Sequence, residues 1–395
     1  MPTMSAHPVP FDRDTLSFIL TAIVLGTVGV LSFIVQPGLV QGFVSEFGFS
    51  EAAANKLAFW EMAGVALATL AVAATVTRLP VPTTIAAALI LAVLGNLASA
   101  VVGRDFLVLS AVRFVTGLGE GVIIALSFSL VGLTVHIQRN LAWYLALLLT
   151  YGAMGLWAMP AAFATVGLEG IFIVWAALTA LALLLVPFCP AMLDTAEQPG
   201  EGAVQLGRPM LGLALCAVLL YNTGIGLAWA NLFLIGLDLG GSEQEVANAL
   251  LVSQFVAIFG AFAAVFLADS LRPRYVVVGG ILGGALALLV LVPKPGFLVF
   301  ALAVSVFNFL WNMTLPFLLA AAGKMDVTGR MIAAAVAMQM LGLGFGPLLA
   351  GQLLVEGSGY AAVEVLSAAL LGAGAAAIIV PMVQRRRIWE ARQVA

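Results

Sequence analysis

Residues 105–134 read DFLVLSAVRFVTGLGEGVIIALSFSLVGLT, an apolar run whose ionisable side chains are Asp105, Arg113 and Glu120. A helix needs about 20 apolar residues to cross the hydrocarbon core of a bilayer. The run is too long, and lacks the alternation of polar and apolar residues, for a barrel strand. A helix also satisfies its own backbone hydrogen bonds in lipid. The stretch therefore predicts a transmembrane helix.

The composition of the whole chain points the same way. Of its 395 residues, 63% are hydrophobic and 9% are charged, whereas soluble domains are about 45–50% apolar and about 25% charged. This excludes a soluble globular enzyme. The two cysteines and two histidines have no metal-ligand spacing, so we expect no disulfide framework, no metal site and no cofactor.

Comparable apolar runs recur along the chain and predict twelve helices, so the expected fold is an all-α polytopic membrane protein. The predicted spans are 16–39, 52–76, 82–102, 105–134, 140–163, 168–189, 209–236, 243–269, 275–293, 296–322, 330–353 and 360–383.

The distribution of lysine and arginine predicts the orientation of these spans. With the N-terminus in the cytoplasm, inside segments carry Arg13, Arg78, Arg139, Arg208, Arg272, Arg274, Lys324, Arg330, Arg385, Arg386, Arg387 and Arg392. The outside segments then carry Lys56, Arg104 and Lys294. Cytoplasmic loops are enriched in positive charge. We therefore expect an integral protein of the plasma (inner) membrane with both termini cytoplasmic.

The longest inside loop divides the chain into two similar halves. Residues 190–208 are rich in Gly, Pro and acidic residues and separate six predicted spans from six. Pro160 in the fifth span corresponds to Pro347 in the eleventh. Internal repeats of this kind are typical of secondary transporters. The expected division is an N-terminal six-helix bundle at 1–189, a cytoplasmic linker at 190–208 and a C-terminal six-helix bundle at 209–395.

Two short motifs resemble signatures of the major facilitator superfamily. The fourth span contains RFVTGLGEG (Arg113 to Gly121), which resembles the Arg-x-x-x-Gly-x-Gly signature of that family's fourth helix. The loop after the eighth span reads ADSLRPR, with Asp269, Arg272 and Arg274, and looks like the family's cytoplasmic loop motif. The resemblance implies alternating-access transport of a small solute by two pseudo-symmetric six-helix bundles, in a protein that is commonly monomeric.

Three charged residues fall inside predicted spans: Glu61, Arg113 and Glu120. Charges within the membrane are costly and by default indicate function. At 1.5 Å per residue, Glu61 and Arg113 lie at similar depths, so we expect them to pair. Glu120 is then left over, and a buried carboxyl without a cation favours its protonated form. These three residues are the predicted proton-coupling group; a static, permanently neutralised network is the alternative, and direct binding of a charged substrate by these residues is a third.

Neutral polar and aromatic side chains in the second half predict the substrate site. Amides in hydrocarbon are costly unless satisfied, and amphipathic aromatics line small-molecule pockets. The predicted substrate-binding residues are Tyr221, Asn222, Trp229, Gln254, Asn308, Trp311, Asn312 and Gln339. Hydrogen bonding between helices is the alternative for any one of them. A predicted hinge in the eleventh span comprises Gly342, Gly346 and Pro347.

These features predict a proton-coupled secondary transporter rather than an enzyme. The sequence has no GxxxxGK[ST] loop, so direct drive by ATP is excluded for this chain. We expect a small organic solute, lipophilic or aromatic, moved by proton antiport in the direction of efflux. A symporter that imports a small metabolite or an organic acid uses the same parts. A sensor that binds without transporting is the alternative of another class. The expected partners are the solute, protons and the lipid bilayer, and not a nucleic acid.

Overall fold

The computed structural model describes residues 15–193, 203–267, 270–327, 330–355 and 357–394. All regular elements in these ranges are helical, which confirms the predicted all-α class. The thirteen α-helices are α1 Leu16–Gly29, α2 Gln36–Ser45, α3 Glu51–Thr75, α4 Val81–Val102, α5 Phe106–Gly132, α6 Ile137–Leu181, α7 Arg208–Trp229, α8 Leu232–Asp238, α9 Glu243–Leu267, α10 Pro273–Leu289, α11 Phe297–Gly323, α12 Arg330–Val355 and α13 Gly359–Val394.

Within the described ranges, nine helices are long and apolar enough to cross a membrane, or ten if the bent pair α1–α2 counts as one span. This count is lower than the predicted twelve for two reasons. The 45-residue helix α6 contains both the fifth and the sixth predicted spans, with Gly167 at φ 68° inside it. Helix α10 has 17 residues and is shorter than the predicted ninth span. These long apolar helices identify the chain as an integral membrane protein.

Two predicted spans are interrupted rather than continuous. The first span breaks at residues 30–35, between α1 and α2, with a bend of 52°. Pro37 lies in the first turn of α2, where its missing N–H is tolerated. The seventh span breaks at Ala230 and Asn231, between α7 and α8. Irregular backbone at membrane depth needs partners inside the protein, so neither break follows from hydropathy alone.

The last helix is longer than predicted. It runs to Val394 rather than ending near residue 383. Arg386 contributes to this extension through an i,i+4 ion pair with Glu390, at 2.6 Å between Nε and Oε1. Such pairs support exposed helices by a few tenths of a kcal/mol. The arginines at 385–387 are therefore helical residues at the edge of the bundle.

Helices α1–α6 (the first half) pack mainly on one another, as do α7–α13 (the second half). Small residues allow the closest approaches. A Cβ atom on Gly117 of α5 would collide with the carbonyl oxygen of Glu61 in α3. In the second half, a Cβ on Gly346 of α12 would collide with the backbone of α7 at Leu227. Small residues at helix interfaces are typical of membrane bundles.

The two halves meet along three helix pairs: α3 with α12, α6 with α9, and α2 with α8. We call the end of the bundle that carries Arg78, Lys324 and Arg385 the basic end. Side-chain bonds between the halves lie at the opposite end, where Asn55 meets Asn231 and Gln41 Nε2 donates to Glu243 Oε1 at 3.2 Å. At the basic end the halves instead enclose a cavity of about 470 Å³.

Candidate functional site

Arg113 is the centre of a buried polar cluster in the first half. Its side chain is fully buried. It forms a two-point ion pair with Glu61, in which Nε donates to Oε2 at 3.2 Å and Nη2 donates to Oε1. Nη1 donates to Asn96 Oδ1 at 3.0 Å and to Ser99 Oγ at 3.4 Å. The guanidinium also lies 5.2 Å from the centre of the Phe172 ring. The pairing of Arg113 with Glu61 predicted from helix depth is therefore present.

The sequence brings these groups together through glycine. Gly117 lies one turn from Arg113 and places the backbone of α5 directly against that of α3. Gly64, one turn from Glu61, is packed equally closely on the carbonyl oxygen of Phe114. The guanidinium of Arg113 can donate to both oxygens of the Glu61 carboxylate when the backbones of α5 and α3 are held at a fixed separation. The glycine contacts set that separation.

Glu120 lies beside this ion pair and is 4% exposed. Its Oε1 accepts a hydrogen bond from Ser32 Oγ at 3.2 Å. Its carboxyl group lies close enough to Glu61 and Arg113 to interact electrostatically with both. Tyr151 of α6 is a further electrostatic neighbour. The cluster thus contains two carboxyl groups and one permanent cation.

The charge count determines what the cluster can do. Two ionised carboxylates beside one guanidinium would leave one negative charge unpaired in a buried site, which is strongly unfavourable. A proton on either carboxyl group removes that charge and allows one carboxyl to donate to the other. The arrangement can therefore hold and release one proton while Arg113 remains paired.

The break in the first span forms hydrogen bonds with three other helices. Ser32 donates to Glu120 of α5. Tyr151 Oη of α6 donates to the carbonyl oxygen of Leu31 at 3.1 Å. Trp229 Nε1 of α7 donates to the carbonyl oxygen of Phe33 at 3.2 Å. These contacts are the partners that an interrupted helix needs in the membrane.

The predicted residues of the second half are partly assembled around Trp229. Its ring packs edge-on against Trp311, with 5.6 Å between ring centres. Asn308, one turn from Trp311, donates from Nδ2 to Ser253 Oγ at 2.8 Å. Asn312 donates back to the carbonyl oxygen of Asn308 at 3.0 Å.

Gln254 of α9 faces the first half of the protein. It is 1% exposed. Gly152 of α6 lies against Gln254 Nε2 and against Ile34 in the break of the first span. The Nε2 atom has no hydrogen-bond partner in the described part of the chain.

Three of the predicted substrate residues lie elsewhere. Asn222 is buried, donates to the carbonyl oxygen of Val218 in its own helix, and faces Gly342 of α12. Tyr221 is buried on the same helix, and its backbone faces Gly374 of α13. Gln339 is half-buried on α12. Among the described contacts none joins these residues to the Trp229–Trp311 pair, so their predicted role rests on the sequence.

The cavity at the basic end lies between α6 of the first half and α9, α11 and α13 of the second. Its walls are almost wholly apolar, with Lys324 and Arg385 as charged exceptions. Neither Glu120 nor any predicted substrate residue lines it. The role of these residues in proton and solute binding therefore stays a prediction.

The remaining predicted features are placed as follows. Arg272 precedes the first turn of α10. Arg274 Nη2 donates to Tyr275 Oη at 2.7 Å, and its guanidinium lies 4.6 Å from the centre of that ring. Asp269 lies outside the described residues. Helix α12 runs without interruption through Gly342, Gly346 and Pro347, so their role as a hinge stays a prediction.

Sequence reasoning missed several members of the site. Ser32, Asn55, Asn96 and Tyr151 are single polar residues in apolar runs, and nothing in their spacing distinguishes them from residues that bond only their own helix. Gln36, whose buried Oε1 has no partner in the described ranges, was missed for the same reason. No group of three or more metal-ligand side chains is assembled within the described residues.

Comparisons with solved structures identify the fold. No family model and no curated protein matches the sequence. A crystal structure of a D-xylose–proton symporter matches with a TM-score of 0.71 at 16% identity, covering 90% of this chain and 96% of that one.

Two further structures agree. A partially occluded, inward-open xylose transporter XylE from E. coli matches with a TM-score of 0.71 at 14% identity, covering 91% of this chain and 97% of that one. A major facilitator superfamily proton:xylose symporter, XylE bound to 6-bromo-6-deoxy-D-glucose, matches with a TM-score of 0.69 at 14% identity over 93% and 95% of the two chains. The chain therefore has the major facilitator fold.

Proposed function

We propose that this chain is a proton-coupled secondary transporter that moves a small organic solute by alternating access, as a proton symporter. One observation carries the proposal: Glu61 and Glu120 share the single cation Arg113 in a buried site. Two of the structures that match most of the chain are named as proton symporters, which favours symport over the antiport expected from the sequence.

In the proposed cycle Glu120 is the group that gains and loses the proton. When it carries the proton, the cluster is neutral, since Glu61 balances Arg113. When it loses the proton, it competes with Glu61 for Arg113. The cluster exchanges protons with one side of the membrane at a time. A conformational change that switches this side also switches the side to which the solute site is exposed, and this links proton movement to solute movement.

The arrangement in the membrane follows from the same proposal. We infer twelve spans, with α1–α2 and α7–α8 each forming one broken span and α6 forming two. The halves, residues 1–189 and 209–395, act as two bundles joined by a cytoplasmic linker. The positive charge at the basic end supports a cytoplasmic position for that end, at the inner membrane. The cavity there and the closed opposite end support an inward-facing state, and we take the protein to be a monomer, as the family resemblance implies.

Buried polar atoms without partners in the described ranges suggest the chemical class of the solute. Gln36 Oε1, Gln254 Nε2 and Asn308 Oδ1 are all buried and unbonded. Leaving such atoms unpaired is unfavourable unless a ligand or water completes them. Together with the Trp229–Trp311 pair, they favour a small, neutral, polyhydroxylated metabolite over a purely lipophilic one. D-xylose is the first probe to test, because it is the substrate named for the matching structures.

Efflux of a lipophilic compound is the second candidate function. The apolar lining of the basic-end cavity favours it. Antiport and symport predict opposite responses to an imposed proton gradient, so one measurement separates them.

The test uses purified protein in sealed vesicles with labelled D-xylose and a panel of other polyols and sugars. Symport predicts accumulation when the outside is made acidic. Glu120→Gln should abolish accumulation but leave exchange of labelled for unlabelled solute at equal pH. Glu390→Gln, an exposed acid at the end of α13, is the matched control and should behave as the parent protein. Accumulation driven only by the reverse gradient would establish antiport, and binding without exchange would establish a sensor.

A further inference from the structure

The two broken spans contact each other across the interface between the halves. Trp229 is the last residue of α7, and it donates to the carbonyl oxygen of Phe33 in the break of the first span. Trp229 is fully buried. The first break (residues 30–35) is thus bonded to the second half at Phe33 and to Glu120 at the adjacent residue, Ser32.

We propose that the first break transmits the protonation state of Glu120 to the second half, with Ser32 and Trp229 as positioning residues. The proposal rests on the proposed function, because it takes Glu120 as the group that binds the transported proton. It adds the route by which that proton affects the solute side of the protein. On that route the ring of Trp229 packs edge-on against Trp311, and Asn308 lies one turn before Trp311 on the same helix.

The physical basis is the strength of the Ser32–Glu120 hydrogen bond. A hydrogen bond to an ionised carboxylate is about twice as strong as one to a neutral group. Ionised Glu120 therefore holds Ser32 firmly, and protonated Glu120 holds it less firmly. The other charged and titratable groups that face Glu120 are Glu61 of α3, Arg113 of α5 and Tyr151 of α6.

The break is able to carry a movement because part of its backbone is bonded to other helices. Ile34 N donates to the carbonyl oxygen of Val30, and Phe33–Val35 form a single 3-10 turn. The carbonyl oxygens of Leu31 and Phe33 also accept from side chains of other helices. Releasing Ser32 changes the position of the next peptide group, to which Trp229 is bonded. Tyr151 fixes the preceding residue, because its hydroxyl also accepts from Trp175 Nε1 at 2.9 Å. A movement of the first break therefore displaces Phe33 rather than Leu31.

The experiment measures separation of the halves without needing the solute. A cysteine is placed at Ala52, which is 7% exposed and whose carbonyl oxygen faces Gly351 of the other half. Cys189 and Cys216 are first replaced by serine. The rate of maleimide labelling at Ala52→Cys is divided by the rate at Gln244→Cys, an exposed position at the same end. This ratio cancels the pH dependence of thiol reactivity.

We expect the ratio to be about fivefold higher at pH 5.5 than at pH 8, the factor given by weakening one hydrogen bond. Ser32→Ala and Trp229→Phe should each abolish most of this pH effect. Ser32→Thr, which keeps the hydroxyl, should retain it. Trp60→Phe, at a surface tryptophan that is 41% exposed, is the control for loss of an indole.

The outcomes separate this inference from the function on which it rests. If Glu120→Gln abolishes the pH effect but Ser32→Ala and Trp229→Phe both leave it intact, the relay is wrong and the proton site stands. If Glu120→Gln leaves the pH effect intact, the proposed proton site itself is wrong. Ser32→Ala is a small change, so it decides the question even if Trp229→Phe does not fold.

Discussion

The side-chain amides of Asn55 and Asn231 bond each other in both directions across the interface between the halves. Asn55 Nδ2 donates to Asn231 Oδ1 at 2.8 Å, and Asn231 Nδ2 donates back to Asn55 Oδ1 at 3.0 Å. Each amide also donates to a carbonyl oxygen of its own chain segment, Glu51 or Leu227. Both side chains are fully buried. The hydrogen bonds between the two amides are therefore made only while the halves are closed at this end.

The first prediction concerns this pair. Asn55→Ala should favour opening at the end opposite the basic end, because it leaves the amide of Asn231 buried with two of its three hydrogen bonds unmade. Such a loss is worth about 1–3 kcal/mol, which corresponds to a change of about 5-fold to 150-fold in the opening equilibrium. The measurement is the labelling rate of Ala52→Cys in the Asn55→Ala background. Asn248→Ala, an exposed amide on α9, should not change that rate.

The second prediction concerns Arg113. Arg113→Ala should destabilise the protein by about 3–5 kcal/mol, because it strands buried Glu61 without its cation. Arg113→Lys should retain only part of the stability that Arg113→Ala loses, because an ammonium group cannot donate to the carboxylate in the bidentate geometry of a guanidinium. The readout is the free energy of unfolding in detergent by denaturant titration. Arg387→Ala, an exposed arginine on α13, is the control; equal stability of the two alanine variants would refute a structural ion pair.

The third prediction follows from the charge count. Glu61→Gln leaves one carboxyl group and one cation, so Arg113 should pair permanently with Glu120. Without an unbalanced carboxylate the site has no reason to bind a proton. We expect accumulation driven by a proton gradient to be lost and exchange at equal pH to persist. A Glu61→Gln protein that still accumulates solute against its gradient would show that the proton resides elsewhere.

The fourth prediction tests the close contact of α3 with α5. Gly117→Ala should destabilise the first half by about 1–3 kcal/mol, because its Cβ meets the backbone of Glu61 and forces the helices apart. Gly372→Ala on α13 is the matched control, because nothing lies within 4 Å of the Cβ position there. Thermal unfolding of the two variants in the same detergent makes the comparison. Equal unfolding temperatures would mean that the distance between α3 and α5 can increase without loss of stability.

The fifth prediction distinguishes solute binding from proton coupling. Asn308→Ala should weaken solute binding several-fold, because it removes an unpaired buried acceptor and the bond to Ser253. It should leave the pH dependence of Ala52→Cys labelling unchanged. The half-saturating D-xylose concentration in exchange assays gives the first quantity. A variant with parental affinity would place the solute site away from Asn308.

Some of the candidate site could be predicted from the sequence because charge in hydrocarbon needs a partner. Glu61 and Arg113 lie at similar depths in neighbouring spans, and an unpaired charge there is so costly that pairing was the expected outcome. The i, i+4 spacing of Asn308 and Asn312 likewise indicated one helix face. The hydroxyl partner of Glu120 could not be predicted, because Ser32 looks like any serine that bonds its own helix.

The sequence by itself determined that this chain forms long apolar helices with a few buried charges. That conclusion needs only local information, since run length and hydropathy decide whether a helix can exist in a bilayer. Only the tertiary structure decided where the first and seventh spans break, which helices complete the freed backbone groups, and which amides meet across the halves. Those features depend on partners far apart in the chain, such as Phe33 and Trp229, and an interrupted helix is stable in the membrane only where such partners are present.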